Sequence, residues 1–347
     1  MVDVTVIGGG HQGMTMAAHL SLFNIRVGLW NRTAEHIRHV MEERKIHLHG
    51  LYEQSPTIYR VSDDIREVLS PIIMVTTPAT AHRDIARMLA RYVDSKYMIV
   101  LNPGRTFGAL EFVKELKDSG CSSLPLIAET QTIIYTCRRD IDNHVYLYAM
   151  KNGVQISAVN GNTLDMISKL PKVLRPYYSA AKSYLSMTLN NVGMVFHSLP
   201  VMMNVGWIEN RRTAFKYYYE GITPSVAGLL SKIDSEKAAV AKSIGVNIES
   251  AMSWLKRTYG SEGNDLYECL RNTKAYKDID APKTIHHRYL EEDVPHGFVP
   301  FESIAKFSGI RTPMISLVID AANNLLNVDF RKTGRKYPEL MGFLQEK

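Results

Sequence analysis

From Val2 to about Tyr178, short runs of β-branched and apolar residues alternate with amphipathic stretches. The runs read VTVIG, RVGLW, IIMVTTP, YMIVLNP, LPLIAET, VYLYAM and VQISAV. Continuous apolar runs of this length mark strands covered on both faces, as in a parallel sheet. Between them, stretches such as AHRDIARMLARYV place apolar residues at helical spacing and supply crossover helices. The alternation predicts a doubly wound α/β domain over residues 1–178. Past LRPYYSAAKSYLSMT the strand-like runs stop. TPSVAGLLSKIDSEKAAVAKSIG, IESAMSWLKRTYG and TPMISLVIDAANNLL follow, apolar at a helical period. Two of these open on Thr-Pro, with proline where its missing N–H is tolerated. An all-helical second domain over residues 179–347 is expected.

The junction between the first run and the first helical stretch carries the chemistry. Gly8, Gly10 and Gly13 in GGGHQG fit the spacing G-x-G-x-x-G, between a strand and a helix. Gly8 suits the tight turn, Gly10 lets a pyrophosphate approach the backbone, and Gly13 lets helix pack on strand. The helix N-terminus then receives the phosphates. This is the dinucleotide-binding arrangement of a Rossmann domain, with His11 and Gln12 in the loop and His11 facing cofactor or solvent. After the second strand an NAD-preferring site would present an acidic residue to the adenine ribose. Here stand Asn31, Arg32 and Thr33, of which Arg32 suits a 2′-phosphate and the others can donate to it. NADP(H) is therefore expected over NAD(H), with Glu35 just beyond as the residue that could still serve a ribose. Thr76, Thr77 and Pro78 end the third run and Asn102 to Arg105 the fourth, at the carboxyl edge where such sheets bind ligands. Thr77 and Pro78 are cofactor candidates and Arg105 is a cation at the expected nicotinamide mouth; plain strand-ending turns are the alternative.

Composition narrows the remaining classes. The chain has 347 residues, with 41 Lys and Arg against 35 Asp and Glu, a formal charge of +6. The excess is scattered, and pairs such as NRR and CRR form no stripe, so no nucleic-acid partner is expected. Cys121, Cys137 and Cys269 have no metal-ligand spacing and suit a reducing cytosol. The chain enters a strand at once, and VGMVFHSLPVMMNVGWI is too short and too interrupted to span a membrane. A cytoplasmic protein with no membrane partner and no bound metal is expected. The aromatic FKYYYEGI reads either as part of a homodimer contact or as helix core.

Longer segments are more specific. IAETQTIIYTCR, LNNVGMVFHSLPVMMNVG, YYYEGITPSVAGLLSKIDSEK and HRYLEEDVPHGFVPFESIAKFSGIRTP resemble, in this order and over nearly the whole chain, the octopine/nopaline dehydrogenase family. The resemblance implies an NAD(P)H-dependent condensation of an α-keto acid, often pyruvate, with the amino group of an amino acid through an imine. It also implies roles. His197, in a motif with Asn191 and Pro200, matches the family's catalytic histidine, able to polarise the keto oxygen and donate a proton. Without the family, a histidine in VFHSLPVMM reads as core. Arg288 and Asp293 match the family's arginine and aspartate: Arg288 to clamp a carboxylate, Asp293 to orient His197 and stabilise its protonated form. Read alone, the two suggest a surface ion pair.

Arg105 and Thr130 match substrate-contacting positions, and Gln131 and Asn191 stand behind them. Glu291 and Glu292 read as solvated neighbours, and His286 and His287 take no role. His296 stands where the family pattern suggests an aromatic, to tune the amino-acid pocket or to fill space. Two other functions share the plan: a 2-keto or 3-hydroxy acid dehydrogenase that needs no amine, and a catalytically silent NADP(H) sensor.

Overall fold

The computed structural model describes residues 1–210 and 214–345; the basic pair in NRR lies outside them. Among the described residues eleven strands form two sheets: β1 (Val4–Ile7), β2 (Val27–Trp30), β3 (His47–Gly50), β4 (Arg60–Ser62), β5 (Ile72–Val75), β6 (Met98–Leu101), β7 (Leu126–Thr130), β8 (Tyr135–Arg139), β9 (His144–Met150), β10 (Val154–Ala158) and β11 (Tyr178–Ala180). The larger sheet has the order β11-β10-β7-β6-β5-β1-β2-β4. From β4 to β7 all neighbours are parallel. β10 runs antiparallel to β7 and carries β11 parallel to itself.

Register fixes what leaves the sheet together. Ile7 pairs with Trp30 and Val75, Val75 with Leu101, and Leu101 with Glu129. The glycine loop, Asn31–Thr33, Thr76–Pro78, Asn102–Arg105 and Thr130–Gln131 therefore emerge at one carboxyl edge, where open α/β sheets bind their ligands.

One predicted strand is placed differently. VYLYAM is β9 and belongs not to the parallel sheet but to a three-stranded sheet of order β3-β9-β8. Its Val145 and Leu147 are buried while Tyr146 and Tyr148 are exposed. The run is thus a half-buried alternating strand whose outward tyrosines counted as apolar. β8 of this sheet lies against the first helix, His11–Leu22.

Contacts divide the chain into two compact units, one of Met1–Met187 with the terminal stretch from Phe343, the other of Thr188–Gly342. The second contains the helices Gly193–Met203, Pro224–Ser243, Ala251–Tyr259, Val299–Ser308 and Pro313–Leu326. The two Thr-Pro starts are capped in different ways. The Thr223 hydroxyl accepts from Val226 N–H at 3.3 Å, as N-cap residues do. Thr312 makes no such bond; the Glu236 carboxylate accepts instead from Met314 and Ile315 N–H, each at 2.9 Å. In FKYYYEGI, Phe215, Tyr217 and Tyr218 are buried in this unit. The segment is no helix core, because Tyr217 N–H bonds Ile279 and Lys216 bridges to Asp280. Nor are its buried rings available as a contact between copies. Among the described residues no helix is long and apolar enough to cross a membrane.

Candidate active site

The glycine loop is built for close approach. Gly8 has φ 115°, a conformation L side chains rarely adopt, and a Cβ on Gly13 would fall 1.7 Å from the Gly8 carbonyl oxygen. Any larger residue at 13 would push the helix off the turn. Around Gly10 a Cβ would meet nothing within 4 Å. No side chain caps the helix that Gly10 begins, and its first turn holds no acidic residue. That combination of open space and N-terminal dipole suits a pyrophosphate. Thr76 donates to the Ile7 carbonyl at 2.9 Å, while the buried Thr77 hydroxyl oxygen has no partner. Pro78 follows, exposed, at the start of a short turn. The residues present fit a dinucleotide.

Asn31 and Arg32 differ in what they offer. Asn31 accepts from Gly9 N–H and donates to the Thr33 carbonyl, both at 2.9 Å, so its amide holds the loop in shape. Arg32 has a side chain 74% exposed and only a 3.6 Å contact with Asp84. Thr33 is exposed beside it, and Glu35 lies 3.6 Å from Arg38.

A residue invisible in the loop's own sequence completes it. Arg139, on β8, donates to the carbonyls of Gly9 at 3.2 Å, His36 at 2.9 Å and Asp142 at 2.7 Å. Its N–H donates to His11 Nδ1 at 2.6 Å, and the Cys137 thiol lies 3.3 Å from Gln12 Oε1. The small sheet thus braces the loop from behind.

Farther along the same edge, Arg105 is partly exposed at φ 62°. Thr130 is buried and donates to the Leu101 carbonyl at 3.2 Å, tying β7 to β6. The Gln131 side-chain nitrogen is buried without a partner.

The helical unit holds the second group. His197 projects from Gly193–Met203, and its Nδ1 lies 2.7 Å from Asp293 Oδ2. The carboxylate accepts, so Nδ1 carries the hydrogen and Nε2 is the nitrogen that takes up or gives a proton. The aspartate side chain is fully buried and the imidazole 13% exposed. Asp293 precedes a π-helical turn, Val294–Phe298, that runs into Val299–Ser308. Pro295 and Pro300 each stand in the first turn of their segment, where a missing N–H is tolerated. Gly297 lets the turn approach the His197 helix, since a Cβ there would fall 2.9 Å from Met194 Cβ.

Arg288 starts the short helix Arg288–Glu291, 53% exposed, its guanidinium 3.6 Å from Glu292 and over the Tyr289 ring. Contrary to the sequence expectation, Glu292 is buried rather than solvated; Glu291 is exposed and pairs with His286 at 3.2 Å. His287 has a structural part, accepting from Tyr289 N–H at 3.3 Å. Burial, then the charges of Arg288 and His197, push its pKa down to about 4. His296 is buried and its Nδ1 bonds the Glu292 carbonyl at 3.0 Å. Asn191 accepts from Met194 N–H at 3.4 Å, while the side-chain oxygen of the buried Asn190 has no partner.

Two tyrosines complete the surroundings of His197. Tyr289 stacks on the imidazole, and Tyr217 donates its hydroxyl to the His197 carbonyl. Tyr289 did not stand out in the sequence, and Tyr217 did so only as part of FKYYYEGI, with neither of the two readings given to that segment pointing to His197.

Known proteins match both units. The family model for the NAD/NADP octopine/nopaline dehydrogenase alpha-helical domain matches residues 180–326. The model for the N-terminus of NAD-dependent glycerol-3-phosphate dehydrogenase matches residues 3–114. An opine dehydrogenase of Arthrobacter sp. (strain 1C) is 33% identical over 96% of this chain and 94% of its own. A vitopine synthase of Allorhizobium ampelinum is 26% identical with the same coverage. Among solved structures, octopine dehydrogenase with NADH and L-arginine superposes with a TM-score of 0.77 at 21% identity, covering 96% of this chain and 93% of that one. Yersinopine dehydrogenase with NADP+ bound gives 0.78 at 14% identity, covering 99% and 95%.

Proposed function

The chain belongs to the octopine/nopaline dehydrogenase family, and from that premise we propose that it uses NAD(P)H to reduce the imine formed between an α-keto acid and an amino acid. The product is an N-(carboxyalkyl)amino acid. The observation that carries this reading is the His197–Asp293 pair, one tyrosine ring away from the exposed guanidinium of Arg288.

Arg288 takes a substrate carboxylate through parallel N–H donors. The amine nitrogen adds to the keto carbon, giving a carbinolamine. His197 Nε2 gives its proton to the departing hydroxyl, which leaves as water as the C=N bond forms. Asp293, buried and bonded to Nδ1, fixes the tautomer and stabilises the imidazolium. The nicotinamide, when bound, supplies the hydride. Gly8, Gly10, Gly13 and the first turn with His11 and Gln12 hold the pyrophosphate, with Thr77 and Pro78 alongside. Arg105 faces a second carboxylate, and Gln131 offers the donor that the protein leaves unpaired. Thr130 shapes these positions from β7, and Asn191 shapes the start of the His197 helix. NADP(H) is the preferred cofactor, because Arg32 stands exposed where NAD-specific sites carry an acid.

His197→Asn tests the acid–base role. Asparagine keeps an N–H donor toward Asp293, so the buried carboxylate is not stranded. The variant should bind NADPH within about twofold of wild type and lose kcat by roughly 10² to 10⁴. A kcat within a few fold of wild type would remove His197 from the chemistry.

A further inference from the structure

We propose that Tyr289 is a positioning residue for His197, its ring face fixing the plane of the imidazole and stabilising it while it carries the proton. This rests on His197 as the proton-transfer residue. The two rings are stacked, 4.0 Å between centroids and 15° between planes. The bond to Asp293 sets the direction of Nδ1 but leaves the imidazole free to tilt about that axis. A face-to-face neighbour removes that freedom, and with it the spread in where Nε2 aims. Proton transfer depends steeply on such aim. A π face also favours the cationic form of what lies on it.

Tyr289 is itself held from both sides. Its N–H donates to His287 Nδ1 at 3.3 Å, and its carbonyl accepts from Ser198 Oγ at 2.6 Å. Ser198 adjoins His197 on the same helix, so the ring is pinned to the element it stacks on. Tyr217 packs behind it, 5.2 Å between centroids, and its hydroxyl donates to the His197 carbonyl. The Arg288 guanidinium carbon lies 5.5 Å from the Tyr289 ring centroid. One buried side chain thus sets the spacing between the proton donor and the carboxylate clamp. Tyr289 is buried; what distinguishes it is contact with both His197 and Arg288.

The test compares Tyr289→Phe, which keeps the face, with Tyr289→Leu, which keeps apolar bulk and loses it. Both are measured on the full chain with NADPH, pyruvate and the amino acid the wild type turns over, with His197→Asn as reference. Tyr289→Phe should stay within about twofold of wild type. Tyr289→Leu should lose kcat about tenfold with substrate KM values little changed. In histidine-labelled protein, the His197 Cε1–H resonance, identified by its absence in His197→Asn, should move downfield in Tyr289→Leu and stay in place in Tyr289→Phe. Should Tyr289→Leu not fold, Ser198→Ala carries the test: freeing the Tyr289 carbonyl should lower kcat about threefold at unchanged KM. A dead His197→Asn beside Tyr289→Leu or Ser198→Ala turning over like wild type would overturn this proposal alone. An active His197→Asn would remove its premise.

Discussion

Asn31 and Arg32 are neighbours at the end of β2, and the sequence treats them alike as groups facing an adenosine. Their surroundings separate them. Asn31 is bonded to Gly9 and Thr33 and shapes the loop; Arg32 is exposed and loosely paired. Arg32→Ala should therefore weaken NADPH binding about tenfold or more and NADH binding by less than about twofold. Titration of each cofactor by fluorescence decides it, and equal losses would sink the NADP(H) preference. The histidine and aspartate came from resemblance alone. Position 197 lies in an apolar run and 293 is 96 residues later, a separation no local pattern spans. The parts played by Tyr289, Tyr217 and Arg139 gave no signal, because each acts through a partner distant in sequence.

At the scale of elements, the first helix and the small sheet share a buried histidine. His19 lies on the helix, fully buried, with Nδ1 2.9 Å from the Tyr135 hydroxyl of β8. Burial holds its pKa at about 4, below the ordinary 6.5. Between those values the unfolded chain binds a proton that the folded chain does not. The stability is therefore complete above pH 6.5 and is lost as pH falls toward 4, roughly 2 kcal/mol of it by about pH 5. His287 adds a loss of the same sign in the helical unit. Thermal melts between about pH 7 and about pH 5 should show Tm falling with pH, and His19→Gln should show a smaller fall. An equal fall in both proteins would rule out a buried neutral His19. The alternation of strands and crossovers was legible because buried parallel strands are unbroken apolar runs. β9 was misplaced because a strand with tyrosines on its wet face has the same composition. The π-helical turn ahead of Val299 could not be read, because its form goes with close packing of Gly297 on the His197 helix rather than with a local pattern.

For the whole molecule, the pattern of runs supplied the two-part plan, a nucleotide-binding α/β unit followed by a helical one. What it lacked was the stretch of residues 343–345, which returns to the first unit and carries no periodicity to announce it. The chemistry also belongs to this scale, because an enzyme that reduces a keto acid alone and one that condenses it with an amine can share a fold and a cofactor loop. They differ in whether an amine is a substrate. The most direct measurement is NADPH oxidation by the purified protein with pyruvate, with and without a pool of amino acids, followed by mass spectrometry of the products. Oxidation should require the pool and yield a mass equal to amino acid plus pyruvate, less water, plus two hydrogens. Oxidation at the same rate without any amine, giving only a hydroxy acid, would contradict the account.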